Sequence, residues 1–477
     1  MLTHLRIFVL LFFSLTVAVL LQGCIEDSVS TSPAEQPTFS TDTLDMGTVF
    51  TGAPTTTHSF RVYNRHSKVM SIERIGFRDN ASHTFRINVD GQAGQSFGNI
   101  EIRPNDSIYV FVEATLPQWG AWHPDNVTDV IDFVTNGVTR SVVVTATGQD
   151  IERHHGTLIT ADTLWTADRP RLIYDSLVVS PGATLTLEPG TVLRFHDKAF
   201  MRVEGTLIAE GTPERTIDMT GDRTGNVVVD ISFDVMDSQW DGLIFAPSSQ
   251  ASRMAYAVVR NSVFGVRVDS LAGAGTPDRP ALDLINCRLR NSATYALESR
   301  HAWLRATGCE LADASQGVVR LEGGTAELSH CTIANYYLFS ALGGPALQLA
   351  HVTPADLETS DAPLLKATVD NSIIYGNGGD LSHGDLAETS VMLRRCLLKS
   401  AGEDDDHFVN CIWDTDPLYY TVREEYIFDY RLRNDSPAIG AADPAFTPSW
   451  LATDFYGVPH PSPASLGAYV YVPAPEE

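Results

Sequence analysis

Three cysteines stand at a constant interval: Cys287, Cys309 and Cys331 are 22 residues apart, twice. Each sits in a similar hexapeptide: Leu284-Ile285-Asn286-Cys287-Arg288-Leu289, Ala306-Thr307-Gly308-Cys309-Glu310-Leu311 and Leu328-Ser329-His330-Cys331-Thr332-Ile333. Continued downstream, the slot falls on Val352, Ser372 and Cys396, at steps of 21, 20 and 24 residues. An earlier rung is expected at Tyr256-Ala257-Val258-Val259, 29 residues before Cys287, with Gly273 to Pro280 as an insertion. Such a period restricts the chain to a solenoid, because each repeat can bury its apolar side only against its neighbours. Leucine-rich repeats share the period, but they need a Leu-x-x-Leu-x-Leu frame and a helical half, and neither is present. The expected fold is therefore a right-handed parallel β-helix, its coils stacked at about 4.8 Å. The repeated slot then points inward, where cysteines serve as small core fillers. A disulfide between stacked coils is the other arrangement the spacing allows. Asn286, Asn291 and Asn371 lie near strand ends and are expected to cap turns.

The grammar is different before residue 151. Thr43–Val49, His58–Asn64, Ile100–Ile102, Ile108–Val112 and Arg140–Gly148 read as short alternating strands, parted by turns such as Arg103-Pro104-Asn105-Asp106. About 110 residues of this kind suggest a β-sandwich. The order of Leu44–Val49, Val62-Tyr63-Asn64, Arg103–Val112 and Ala146-Thr147-Gly148 resembles the immunoglobulin-like domains of spindle, ciliary and bacterial surface proteins. That resemblance implies a spacer or binding module.

The two ends carry further signals. A weakly basic start precedes an apolar run from Ile7 to Leu21, the length of a signal-peptide core. Leu21-Gln22-Gly23-Cys24 resembles the bacterial lipobox, which implies lipidation of Cys24 and a lipid-anchored place at the outer membrane, facing the cell surface or the periplasm. Glu26 and Asp27, ahead of a Ser/Thr/Pro tether, resemble the surface-export signal of Bacteroidota lipoproteins. At the far end, Asp429–Gly440, Asp454–Pro459 and Leu466-Gly467-Ala468-Tyr469 resemble the closing segment of bacterial surface proteins with pectate-lyase-like β-helices. By that resemblance these pieces form the last coil and cover its open end. Gly182–Val192 resembles the first coils of the same group. The expected organisation is a signal peptide at 1–23, a tether at 24–37, an immunoglobulin-like sandwich at 38–150, a β-helix at 151–440 and a capping segment at 441–477.

Chemistry is sparse. The chain has 59 acidic and 33 basic residues, a net charge of −26, which excludes a phosphate-neutralising surface and with it nucleic acid. No GxSxG, HExxH, P-loop or GxGxxG motif occurs, so no cofactor, no metal and no catalytic set is expected. The candidates weighed are Glu403-Asp404-Asp405-Asp406 with His407, Arg394-Arg395, and the carboxylates Asp283 and Glu310. The acidic run reads as a solvated loop, since four consecutive acids cannot face one ion. Trp165, Trp240, Trp303 and Trp413 read as coil fillers rather than sugar platforms. The expected role is binding or structure at the envelope, in contact with glycan or a surface protein; the competing expectation is a polysaccharide lyase or hydrolase working on the β-helix flank.

Overall fold

The computed structural model describes residues 28–79, 84–120, 124–223, 225–228, 231–249, 251–270, 279–350, 366–387 and 389–475. Cys24 and the apolar run before it lie outside these residues. The chain divides into two compact units, Met1–Asp150 and Ile151–Glu477. Among the described residues there is no α-helix, only three short 3-10 turns, and no helix long and apolar enough to cross a membrane.

The first unit is built from two five-stranded sheets. One runs Thr38–Phe39, His58–Tyr63, Ser107–Ala114, Phe85–Val89, Gln92–Gly94, with antiparallel neighbours throughout. The other runs Thr43–Phe50, Val138–Gln149, Asp125–Thr135, Arg74–Phe77, Ser96–Phe97, and its first pair is parallel. Period-two alternation produces the two layers. On Ser107–Ala114, Ile108, Val110, Val112 and Ala114 are buried while Tyr109 and Phe111 face out. Phe60 and Val110 from one sheet meet Phe133 and Val144 from the other in a single apolar core. Among the described residues Ile100–Ile102 joins neither large sheet and pairs with Met70–Ile72.

The second unit is a stack of parallel coils with three strands each. In one coil these are Leu282–Ile285, Arg288–Ser292 and Leu297–Arg300, and Trp303–Thr307 then begins the next coil directly beside Leu282–Ile285. The first strands of successive coils form a ten-stranded parallel face; the second and third strands run through a seventeen-stranded sheet that bends between them. The result is an all-β body of large parallel sheets curled nearly closed, like a β-helix. Corners need left-handed backbone, which suits Gly and Asn. Asn286, Gly308, His330 and Asn371 (φ 48°, 66°, 50° and 48°) occupy one corner in successive coils.

The slot after that corner is the core ladder. Cys287, Cys309, Cys331 and Cys396 are buried and Cys411 is half-buried; all five are free thiols. The ladder departs from the expected one in two places. Thr325–Ser329 pairs directly with Lys366–Asp370, and the Cys331 N–H donates to Ser372 Oγ at 3.0 Å. The steps of 21 and 20 residues are thus one long coil of 41. Val352 lies outside the described residues, and Leu347–Ala350, just before it, belongs to the third face beside Val319–Glu322. Upstream, Val258 faces Arg288, which sets Ala257 rather than Val258 over Cys287.

The chain end also differs from expectation. The Gly467 N–H donates to the Asn371 carbonyl, the Ala468 N–H to Thr332 Oγ1 and the Tyr469 hydroxyl to Glu310, all three acceptors on coils that precede the last one. Thr453 reaches further back, its carbonyl accepting from Asn286 and its hydroxyl meeting Tyr256. Ala438, Ala442, Leu466 and Ala468 pack on Ala312, Ala334, Ile373 and Leu397, outward-facing residues of the second face. The terminal segment is therefore an outer layer along the flank, not a plug over the open end. Small apolar residues on that face would otherwise be exposed, which is the physical reason for the layer. Asn286, Asn291 and Asn371 cap other segments rather than their own turns: their amides donate to carbonyls of Thr453, Asp234 and Asp443.

Candidate binding groove

The ten-stranded face carries a regular pattern of charge. Along its strands Leu282, Leu284, Leu304, Ala306, Ala326, Leu328, Ala367 and Val369 point inward, so alternation turns the residues between them outward. Register then lines up Arg253, Asp283, Arg305, Glu327 and Thr368 across five coils. A second row holds Ile285, Thr307, Ser329, Asp370 and Arg394. Adjacent strands lie about 4.8 Å apart, a separation at which a guanidinium can grip the next carboxylate with two bonds. Arg305 does so to Asp283 (2.9 and 2.6 Å), and Arg394 to Asp370 (2.6 and 2.7 Å). The Asp283 bond raises the pKa of Arg305. Burial raises that of Asp370, against the opposing pull of Arg394.

The terminal layer supplies the wall. Ser329 Oγ donates to the Phe446 carbonyl (3.2 Å), His330 meets Thr447 Oγ1 (2.9 Å), and Asn371 exchanges bonds with the Asp443 backbone. Phe446, Pro448 and Trp450 thereby stand beside the charged rows. The Phe446 ring centroid is 4.0 Å from the Arg394 guanidinium, and Trp450 is 5.8 Å from that of Arg305. Trp450 is 48% exposed although it is a large apolar side chain. Between wall and face lies a groove of about 290 Å³, lined by Arg305, Glu327, Thr368, Asp370, Phe446 and Trp450. A second lobe of about 230 Å³ shares Arg305 and Trp450 and adds Arg253 and Asp283. Its chemistry is an indole surface beside fixed donors and acceptors, which suits a ligand with one apolar face and a rim of hydroxyls. Both oxygens of Asp283 and of Asp370 are held by guanidiniums.

Of the candidates read from sequence, Asp283 and Arg394 line or border this groove. Glu310 does not share a face with Asp283. It is 1% exposed on the second face, bonded to Arg290 and to the Tyr469 hydroxyl and 3.4 Å from Arg288. Arg395 sits at a corner, with φ 53°. The acidic run is an exposed loop, as expected, and Asp404 orders it by accepting from the N–H of Asn410 (2.6 Å), the N–H of Cys411 (3.1 Å) and Trp413 Nε1 (3.2 Å). Asp405 accepts from the N–H groups of His407 and Phe408, and His407 Nδ1 meets the Val391 carbonyl. No group of three or more metal-ligating side chains occurs among the described residues. Trp165 and Trp240 are buried in the core, Trp413 packs against it, and Trp303 is half-buried.

Arg305, Glu327, Asp370 and Trp450 were not singled out from the sequence. The first two were within reach, because Asp283, Arg305 and Glu327 each precede a ladder cysteine by four residues. Trp450 comes from a segment without a period.

No protein-family model matches the chain, and no curated protein matches it. Among solved structures, a family 123 glycoside hydrolase from Clostridium perfringens, studied for glycolipid glycan hydrolysis, is similar at 10% identity and a TM-score of 0.17. The likeness covers 24% of this chain and 25% of that one, and at this level it bears on neither fold nor chemistry.

Proposed function

We propose that this chain is an envelope lipoprotein whose second unit binds a neutral glycan in the groove beside Trp450. The observation that carries the reading is the half-exposed Trp450 indole beside the doubly bonded Arg305–Asp283 pair, with Asp370 of the Arg394–Asp370 pair lining the same groove. Sugar rings stack on such a surface, and pre-paired charges offer hydrogen bonds without drawing a counter-ion. The sequence at Leu21-Gln22-Gly23-Cys24 supports lipidation at Cys24 and an outer-membrane address of the Bacteroidota kind. The first unit serves as an immunoglobulin-like spacer in this account. The second is a right-handed β-helix, in keeping with the strong right-handed bias of parallel crossovers. Affinity electrophoresis in gels cast with neutral polysaccharides tests the binding. Retardation by at least one of them, lost in Trp450→Ala, is expected; identical migration of both proteins in every gel refutes it.

A lyase or hydrolase in the same groove is the second reading, because Asp283, Glu327 and Asp370 all line its lobes. Release of reducing or unsaturated ends from a bound polysaccharide would select it over binding alone.

A further inference from the structure

The first unit carries an exposed aromatic face of its own. Ser107–Ala114 is the middle strand of its five-stranded sheet, and Tyr109 and Phe111 stand outward from it, 40% and 36% exposed. Their rings are stacked, with centroids 5.7 Å apart and planes 17° from parallel. On the neighbouring strand Arg61 lies opposite Tyr109, and Tyr63 lies opposite Ser107. The Arg61 guanidinium sits 4.7 Å from the Tyr109 ring centroid and donates to its hydroxyl. Arg65 sits 4.4 Å from the Tyr63 ring. Among the described residues neither guanidinium has a carboxylate partner, although acidic residues outnumber basic ones 59 to 33. Other arginines of the chain do take carboxylates: Arg78 bonds Asp132, and Arg431 bonds Asp429.

We propose that this face is a second binding site, for an anionic polysaccharide. Its sugar rings would lie on Tyr109 and Phe111, and its carboxylate or sulfate groups would meet Arg61 and Arg65. A guanidinium resting on an aromatic ring is held in place and loses little freedom when an anion arrives, and Arg61, which spends one nitrogen on the Tyr109 hydroxyl, keeps its other donors for the anion. Stacked rings standing from the centre of a sheet offer sugar-sized faces that burial does not otherwise reward. A peptide adds to a sheet through an unpaired edge, and this patch lies away from both edges. The site shares no residue with the groove, so it stands or falls separately from the reading above.

The test is affinity electrophoresis of the full chain in gels holding hyaluronan, dextran sulfate or neutral dextran. Retardation by hyaluronan or dextran sulfate is expected, weakening as salt is raised, and Trp450→Ala, which lacks the groove's indole, should show none by dextran. The two anionic gels separate carboxylate from sulfate recognition. Arg61→Gln with Arg65→Gln should weaken binding at least tenfold and Phe111→Ser at least fivefold, with thermal melts confirming that each variant is folded. Arg61→Lys with Arg65→Lys, which keeps the charge, should lose less than the glutamine pair. Trp450→Ala should bind the anionic gels as the wild type does. Absence of retardation by both anionic gels, equal retardation of Trp450→Ala by dextran, indifference to both sets of variants, or loss of anionic retardation in Trp450→Ala would overturn the proposal. So would a concentration-dependent dimer abolished by the glutamine pair, because the face would then join two copies of the chain.

Discussion

Asp313 is the side chain on which pH should act most visibly. It is fully enclosed between the second face and the terminal layer, where its carboxylate accepts from the Tyr430 hydroxyl and the Tyr336 N–H. Burial pushes its pKa up to about 6, from an ordinary 3.8. The folded state then holds the proton more tightly than the unfolded chain does. The stabilisation is fully present below pH 3.8 and is lost as pH rises through about 6. Asp313→Asn accepts the same two bonds without a charge. Its melting temperature should exceed the wild-type value at pH 7, and the difference should shrink toward pH 4; a constant difference across that range would show that Asp313 is ionised throughout. The thiols make a second residue-scale test. Burial raises the Cys309 and Cys396 thiols well above their usual range, whereas contact with Cys396 lowers Cys411. Peptide mapping after a brief alkylation of native protein should find Cys411 modified first and Cys287, Cys309 and Cys331 protected until denaturant is added. Early modification of Cys309 would contradict a packed ladder.

At the scale of elements, the corners decide whether coils stack. Gly308 has φ 66°, and a Cβ there would come within 2.1 Å of Asn286 Oδ1 in the preceding coil. Gly308→Ala therefore meets both a left-handed backbone and a collision, and should destabilise by about 1–3 kcal/mol. A denaturant midpoint equal to wild type would mean that the corner relaxes freely. The same coil shows what a sequence can and cannot reveal. Its period was legible from three cysteines, and with it the parallel stacking and the inward slot. The long coil was not, because the 41 residues from Cys331 to Ser372 divide evenly enough to pass for two repeats. Only the pairing of Thr325–Ser329 with Lys366–Asp370 separates one loop-bearing coil from two plain ones. Asp283, Arg305 and Glu327 were implicit in the period, since a ladder in one slot fixes ladders in all the others.

For the molecule as a whole, the direction of the terminal layer was beyond sequence reasoning. Motif order states which pieces close the chain but not which surface they cover, and the small outward residues Ala312 and Ala334 become a docking surface only once the faces are folded. Trp450 is placed by that layer, so half of the groove depends on contacts more than a hundred residues apart, such as Ser329 with Phe446. Anchoring is a separate claim about the whole molecule. Cys24→Ala should abolish incorporation of a fatty-acid analogue and release the protein from membranes; labelling equal to wild type would refute lipidation there. The proposed function requires the wall and the charged face to act together on one neutral glycan. Isothermal titration of the folded chain with a neutral oligosaccharide from a retarding gel tests it most directly. One site per chain is predicted, weakened at least tenfold by Trp450→Ala and again by Arg305→Ala. Unchanged affinity in both variants, with melting temperatures preserved, would contradict it.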